Sequence, residues 1–269
     1  MEKPKVLYVS QEIATYLPDT EISLISRQLP QAIQERGKEI RSFMPRYGLI
    51  NERRNQLHEV IRLSGINIII DETDHPLIIK VASLQAARTQ VYFIDNEDYF
   101  QRKHTFTNEE GVEFEDNDER SIFFARGVLE TVKKLRWMPS IVHCHGWFTA
   151  LLPLYLKKAY YEDPIYKKSK VVYSLYNKKF EKSLNNRFIE KVPVDGIDES
   201  EISIIKEASW LNMNKLGIDQ SDAIVIGSSD VDPELIAYAK ASGKPVLDYH
   251  SEETFVDACS DFYDQLLLS

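Results

Sequence analysis

The sequence predicts a single doubly wound α/β domain with a small antiparallel excursion. Short apolar segments, many of them rich in β-branched residues, alternate along the chain with amphipathic helical segments. Most of the apolar segments are hydrophobic on both faces, as the strands of a parallel sheet covered by helices must be. No repeat, low-complexity tract or linker separates two halves of the chain. We therefore expect residues 1–269 to form one domain.

The predicted strands follow the apolar segments in chain order. Consecutive strands at 66–70 and 77–84 have no helix between them, which predicts a mostly antiparallel excursion over residues 57–84. The remaining strands are expected in the parallel sheet, at 5–10, 39–44, 90–95, 141–145, 170–176, 223–227 and 245–249.

The predicted helices rest on apolar periodicity and on end signals. Residues 22–36 carry an apolar stripe that a glycine ends. Residues 118–135 repeat the apolar pattern. A helix over 233–243 begins with a proline and is preceded by a capping aspartate. Further helices are expected near 200–211 and at the C-terminus.

Composition and charge exclude several classes of protein. A net charge of −9 and a pI near 5.3 argue against binding to nucleic acid or another polyanion. No apolar run is long enough to span a bilayer, and no apolar leader begins the chain. Cys144 and Cys259 give no disulfide framework, so reduced thiols are expected. These observations predict a cytoplasmic protein without a membrane partner.

The first strand-to-helix turn reads YLPDTEIS, residues 16–23. In a nucleotide-binding α/β domain this turn holds phosphate through glycines and a helix N-terminus. Here the turn has no glycine and no lysine. It carries Pro18, which lacks an amide N–H, and two carboxylates, Asp19 and Glu21, that repel a diphosphate. The turn therefore lies where a phosphate site would be, but it lacks the glycine and lysine that would bind phosphate.

Five segments within residues 4–180 match one known family in the same order. They read KVLYVSQEIA, LPQAIQERGKEIRSFMPRYG, VYFIDNEDYFQR, EDNDERSIFFARGVLE and PSIVHCHGWFTALLPLYLK. Together they resemble the N-terminal domain of bacterial glycogen synthases and plant starch synthases. The resemblance implies one Rossmann-like half of a two-domain GT-B glycosyltransferase, which elongates α-1,4-glucan from ADP-glucose. No motif can be matched after residue 180.

The resemblance also implies functional residues. It identifies His145, beside the transferred sugar, and Asp116 as the catalytic candidates. It implies substrate contacts for Glu12, Tyr99, Arg102, Asn117, Trp147 and Asn177. Five of these residues have an alternative interpretation from the residues alone. His145 can end a buried strand as a satisfied polar residue, Asp116 and Asn117 can begin a helix, and Tyr99 and Arg102 can lie in a solvated loop.

The chain departs from the family pattern in three places. The family's Lys-x-Gly-Gly element, which faces the donor's phosphates and sugar, falls on the sequence PDTE at 18–21. In the His-Asp-Trp-His element, Gly146 replaces the aspartate and Phe148 replaces the second histidine. In the Thr-Ile-His-Asn element, Tyr176 replaces the histidine. These departures predict weak binding of a sugar nucleotide.

Two further features bear on the site. His143 and His145 lie on one face of a strand, but further metal ligands are missing at readable spacing, so neither a metal nor another cofactor is expected. About ninety residues follow residue 180, too few for a second doubly wound domain. They are expected to complete the first domain, and the end of the chain does not resemble a truncation.

The sequence therefore predicts a degenerate relative of the glycogen synthase N-terminal domain. We expect it to be inactive alone and to bind an α-glucan, weakly a sugar nucleotide, or a protein partner. The main alternative is an active glucosyltransferase of glycogen synthesis, completed by a separate chain that supplies the second Rossmann domain. A third interpretation, an unrelated α/β protein of sugar-nucleotide metabolism, explains the linked motifs less well.

Overall fold

The computed structural model describes residues 3–84 and 89–268. Its strands are β1 (Lys5–Ser10), β2 (Glu39–Pro45), β3 (His58–Glu59), β4 (Ile66–Ile70), β5 (Thr73–Leu84), β6 (Thr89–Asp95), β7 (Ile141–His145), β8 (Lys170–Leu175), β9 (Ala223–Ile226) and β10 (Val246–Leu247). Its α-helices are α1 (Glu21–Glu35), α2 (Glu97–Phe100), α3 (Asn117–Leu135), α4 (Leu151–Lys158), α5 (Phe188–Lys191), α6 (Trp210–Gln220), α7 (Pro233–Ala241) and α8 (Glu252–Leu268).

These strands join in one sheet, in the order β10-β9-β8-β7-β1-β2-β6-β5-β3, with β4 paired to β5. The seven strands from β10 to β6 run parallel to their neighbours. β5 runs antiparallel to β6, and β3 and β4 run antiparallel to β5. The predicted doubly wound sheet with its antiparallel excursion is confirmed.

Helices cover both faces of the sheet, and the alternation of side chains along β1 shows how. Val6 and Tyr8 belong to a cluster with α1 and α8, whereas Leu7 and Val9 belong to the larger cluster on the opposite face. All five residues of β7 are buried. A strand buried on both faces is mostly apolar along its whole length, which is why the strand positions could be read from the sequence.

The chain order of the strands creates a crevice at one edge of the sheet. After β1 the chain moves to β2 on one side, while β7 occupies the other side of β1. The loops that follow β1 and β7 therefore diverge at the carboxyl ends of these two strands. In open α/β sheets, ligands bind at such a switch point. The crevice brings together the segments that follow Ser10, His145 and Leu175.

Three local expectations were wrong. The helix expected near 200–211 is divided into a 3-10 helix, Glu199–Lys206, and α6, because Glu207 is extended and Ser209 caps the new helix. β3 was not predicted, since two exposed residues have no apolar pattern. β10 is shorter than predicted and lies at the sheet edge. Among the described helices, none combines the length and the apolar character that a membrane span requires.

Candidate functional site

The crevice contains a small polar cavity at the carboxyl ends of β1 and β8. It encloses about 190 Å³. Its lining comes from the segment after β1, the N-terminus of α1 and the segments after β8 and β9. The lining residues are Glu12, Thr20, Glu21, Ile22, Tyr176, Asn177, Lys178 and Asp230. Two of the sequence-predicted residues, Glu12 and Asn177, therefore face the same cavity.

The N-terminus of α1 is capped by its own chain. The Thr20 hydroxyl accepts a hydrogen bond from the Ser23 amide at 3.1 Å, and the Thr20 amide donates to the Ser23 hydroxyl at 2.8 Å. This reciprocal arrangement is a capping box built from two hydroxyl residues. The first turn also carries the Glu21 carboxylate. Part of the hydrogen-bonding capacity that could face an anion is therefore used within the turn.

Glu12 extends this internal network across the crevice. One of its carboxylate oxygens accepts from the Thr20 hydroxyl at 2.6 Å, and the other accepts from the Lys178 ammonium at 2.7 Å. The Glu12 side chain is almost fully buried. Lys178, which lines the cavity, is thus paired with a carboxylate that lies in the same cavity. Because this pair joins β1 to the segment after β8, it also holds the two sides of the crevice together.

Removing the Thr20 cap should destabilise the protein measurably. Thr20→Ala deletes the acceptor for the Ser23 amide and the donor to Glu12, and loss of a helix cap costs about 1 kcal/mol. We expect the midpoint of thermal unfolding to fall by about 2–4 °C. Thr20→Ser keeps both hydrogen bonds and is the matched control. Equal midpoints for Thr20→Ala and wild type would show that the cap does not stabilise α1.

His145 lies at the end of β7 and is completely buried. Its Nδ1 hydrogen-bonds to the Tyr176 hydroxyl at 2.7 Å, and its Nε2 has no hydrogen-bond partner within the described residues. Burial lowers the pKa of His145 to about 3, so its imidazole is neutral at physiological pH. Tyr176, the residue that replaces a family histidine, is itself buried. The aromatic replacement therefore partners the histidine that the sequence retains.

A second histidine continues this buried network. The His143 and His145 ring centroids lie 4.0 Å apart. His143 hydrogen-bonds through Nε2 to the Ser174 hydroxyl at 2.6 Å and through Nδ1 to the Tyr263 hydroxyl on α8. Burial and the neighbouring His145 lower the pKa of His143 well below its ordinary value. Each histidine thus has a side-chain partner from another element of the fold.

Gly146, where the resemblance implies an aspartate, occupies a backbone position that favours glycine. Its φ of 87° is in the region that favours glycine, and a Cβ there would overlap the side-chain amide of Gln11. Gln11 is fully buried, and its amide oxygen accepts from the Phe148 amide N–H at 3.4 Å. Sequence reasoning missed Gln11, because no short-range pattern shows that its side chain reaches the loop after β7.

Trp147 and Asn177 occupy different environments. Trp147 is buried among aromatic rings, with centroids 4.5 Å from Phe180 and 5.1 Å from Phe106. Asn177 is half-buried, and its Nδ2 donates to Asp230 at 3.3 Å. Its Oδ1 has no hydrogen-bond partner among the described residues. Trp147 is therefore part of the core beside the crevice, whereas Asn177 lies at the cavity.

The other predicted residues form a second group around the start of α3. Both carboxylate oxygens of Asp116 accept from the Arg102 guanidinium, one of them at 2.6 Å. The Asp116 hydrogen bonds raise the pKa of Arg102 and outweigh its partial burial. The Asn117 side chain accepts from Arg120 at 2.6 Å, and Arg120 donates to the Tyr99 carbonyl at 2.8 Å. The structure thus brings together Tyr99, Arg102, Asp116 and Asn117.

The residues around His145 and the residues around the start of α3 are linked by packing rather than by polar contacts. Asn117 donates to the Phe106 carbonyl at 2.9 Å, and the Phe106 ring packs on Trp147. In the described part of the chain, no hydrogen bond or ion pair joins Asp116 to His145. Over the same residues, no cluster of three or more His, Cys, Asp or Glu side chains suited to a metal ion was found.

A comparison with protein families gives a decisive match. The model of the starch synthase catalytic domain matches residues 5–244. The chain belongs to the starch synthase catalytic domain family. The match extends past residue 180, beyond the segments whose motifs could be matched from the sequence alone. The motifs after that position are too weak to read in one sequence, although the matched region continues through β9 and α7.

Individual members of the starch synthase family show the same relationship. A glycogen synthase of Chlorobium luteolum is 36% identical over 225 residues, which cover 83% of this chain and 45% of the relative. A glycogen synthase of Chlorobaculum parvum is 31% identical over 268 residues, which cover 98% of this chain and 52% of the relative. The chain therefore spans about half the length of the curated relatives it matches.

A solved structure of the family has the same fold. The catalytic domain of starch synthase IV from Arabidopsis thaliana, bound to ADP and acarbose, matches with a TM-score of 0.75 at 16% sequence identity. The match covers 92% of this chain and 51% of the solved chain. At this level of identity the likeness supports the GT-B glycosyltransferase fold of the domain.

Proposed function

We propose that this member of the starch synthase family is a degenerate glycogen synthase N-terminal domain. By itself it does not transfer glucose, and it acts by binding an α-glucan or a protein partner. The observation that carries the proposal is the network at the N-terminus of α1. Thr20 caps the helix, and Glu12 occupies the crevice with both carboxylate oxygens hydrogen-bonded. A nucleoside diphosphate would meet the Glu12 and Glu21 carboxylates here, instead of a lysine and glycines.

The surroundings of His145 support the same proposal. An imidazole can contact a bound sugar only if one ring nitrogen is accessible. His145 is fully buried, and its Nδ1 is taken by Tyr176. Gln11 fills the space beside Gly146, where the family carries an aspartate. Substrate would have to displace at least one of these side chains before it reached the histidine.

The direct test combines a transfer assay with a binding measurement. The purified chain is incubated with labelled ADP-glucose and a short maltooligosaccharide, and ADP binding is measured by calorimetry. We expect no extension of the acceptor and no detectable ADP binding. Extension by this chain alone, or micromolar affinity of about −8 kcal/mol, would contradict the proposal. Extension that requires an added nucleotide-binding chain would favour the alternative, a glucosyltransferase completed by a partner.

Restoring the family's residues at the α1 turn should increase anion binding but not catalysis. The triple variant Pro18→Lys, Thr20→Gly and Glu21→Gly adds a charge-assisted donor and removes a carboxylate. We expect the midpoint of thermal unfolding to rise with ADP in this variant and not in wild type. The glycine at the first helical position should cost about 1 kcal/mol without ligand. Transfer should remain absent, because His145 stays covered by Tyr176.

A matched variant isolates the contribution of the lysine. Pro18→Met with the same two glycines has a similar side-chain length and the same backbone freedom, but no added charge. If ADP stabilises both variants equally, the lysine does not contact phosphate. If ADP stabilises neither, the correspondence between this turn and a phosphate site is wrong. Glucose transfer by the lysine variant would show that the buried histidine does not limit activity.

A further inference from the structure

A separate groove lies between α1 and α8, next to the polar cavity. It encloses about 190 Å³, and Glu21 belongs to the lining of both. Leu24 and Ile25 of α1 face Phe255 and Val256 of α8 across it, and Tyr249 stands at its edge. Apolar cavities of about 150 Å³ can hold a benzene molecule. The groove can therefore accept one large apolar side chain.

The apolar surface of this groove is partly exposed to solvent. Leu24 is 36% exposed and Tyr249 is 44% exposed. They lie on different elements, yet they border the same groove as the buried ring of Phe255. An exposed apolar surface with a polar rim is typical of an interaction site. The groove is thus open to an apolar group from outside the domain.

The rim of the groove carries negative charge. Glu21 and Glu252 line it, and none of the described lysines or arginines does. The exposed Asp19 and Glu253 are their close neighbours in the chain. Within the described residues, Asp19, Glu21 and Glu253 form no ion pair. In contrast, Asp257 on the same α8 pairs with Arg36 of α1. The groove lining therefore carries two carboxylates, Glu21 and Glu252, beside apolar side chains, and Glu252 accepts from the Gln28 amide at 3.3 Å. His250 also lines the groove, and the exposed Arg27 precedes Gln28 in the chain.

We propose that this groove binds a basic amphipathic segment of a partner protein. One large apolar side chain of the segment enters between Leu24 and Phe255, and flanking Lys or Arg side chains pair with the rim carboxylates. Charge complementarity favours this occupant, since the Glu21 and Glu252 carboxylates line the groove and none of the described lysines or arginines does. An α-glucan fits less well, because sugar hydroxyls placed against Leu24, Ile25 and Phe255 would have no hydrogen-bond partner there. The inference rests on the partner-binding role proposed above.

Selection of peptides from a random library tests this inference. A phage library of random peptides, roughly twelve residues long, is selected on the immobilised full chain. We expect enriched peptides to combine Leu, Phe or Trp with flanking Lys or Arg. Fluorescence anisotropy on the synthetic peptides then measures affinity, which should fall as salt concentration rises. Glucosyl transfer is assayed on the same preparations, so that failure of the proposed function is detected independently.

Two groove variants and one distant control locate the binding site. Leu24→Asp places a charge at the apolar floor, and Glu21→Gln removes a rim carboxylate. We expect Leu24→Asp to weaken peptide binding by roughly tenfold or more, and Glu21→Gln to weaken it less and to reduce its salt dependence. Ile61→Asp changes a residue that is 81% exposed on the antiparallel excursion and should leave affinity unchanged. Thermal unfolding confirms that each variant is folded.

Several outcomes would overturn the inference. They include failure to enrich any peptide, a consensus that is acidic or lacks an apolar residue, and equal binding to wild type and Leu24→Asp. Displacement of a bound peptide by maltoheptaose would instead identify the groove as a glucan site. Loss of binding in Ile61→Asp but not in Leu24→Asp would move the interaction to the excursion.

Discussion

Acidification should destabilise this protein through its buried histidines. Burial holds the pKa of His145 near 3, against an ordinary value near 6.5. Between these two pH values the unfolded chain binds a proton at His145 and the folded chain does not. Unfolding free energy therefore decreases as the pH falls below about 6.5. For His145 alone the loss is about 2 kcal/mol at about pH 5. His143 acts in the same direction.

Denaturant titrations at several pH values test this expectation. His145→Gln removes the titrating group and keeps a polar side chain that can reach Tyr176. Relative to wild type, the variant should gain about 2 kcal/mol between about pH 7 and about pH 5. His58→Gln changes an exposed histidine on β3 and serves as the control for replacing a histidine by glutamine. A parallel profile for His145→Gln would mean that His145 is protonated in the folded protein.

The strands of this fold could be predicted because their cause is local. A strand such as β7 is buried on both faces, so its whole sequence is apolar apart from its two histidines. The same reasoning located α1 from its apolar stripe and the glycine that follows. The antiparallel excursion could be predicted because β4 and β5 follow one another without a helix. The edge strand β3 could not be predicted, since its two exposed residues carry no apolar signal.

The site could be predicted only in part, because its decisive contacts are long-range. The turn at Pro18 and Glu21 could be interpreted from residue chemistry alone. The sequence does not show that Tyr176 partners His145 or that Gln11 fills the space beside Gly146, since each contact joins separate elements. The resemblance to family motifs pointed to the residues around His145 and to those around the start of α3. Their environments depend on packing that only the three-dimensional structure reveals.

A buried ion cluster ties α5 to the start of α3. The Lys191 ammonium donates to Asp118 at 2.9 Å and to Glu119 at 2.7 Å. The side chains of Lys191 and Asp118 are 5% and 0% exposed. Burial raises the pKa of Asp118, although the hydrogen bond from Lys191 opposes this shift. Glu119 also accepts from the Tyr99 hydroxyl at 2.8 Å. The cluster therefore supports the family tyrosine as well as the helix packing.

Replacing Lys191 by methionine should cost about 3 kcal/mol of unfolding free energy at neutral pH, because a buried charge without its partner is strongly unfavourable. Denaturant unfolding measures the loss. Arg187→Met, which breaks an exposed pair with Asp71, is the matched control and should have little effect. Adding Asp118→Asn to Lys191→Met should recover part of the loss, since the remaining side chain is neutral. A loss no greater than that of Arg187→Met would contradict the assignment of a stabilising role to this cluster.

The pH dependence of the Lys191→Met variant distinguishes an unpaired charge from lost packing. Burial raises the pKa of Asp118 above its unfolded value, and removal of the lysine takes away the interaction that opposes this shift. A raised carboxyl pKa means that the folded state binds the proton more tightly, so the contribution of Asp118 becomes less favourable as the pH rises. The deficit of Lys191→Met relative to wild type should therefore shrink as the pH falls and Asp118 is protonated. A deficit that stays constant with pH would arise from packing alone, because methylene contacts do not titrate.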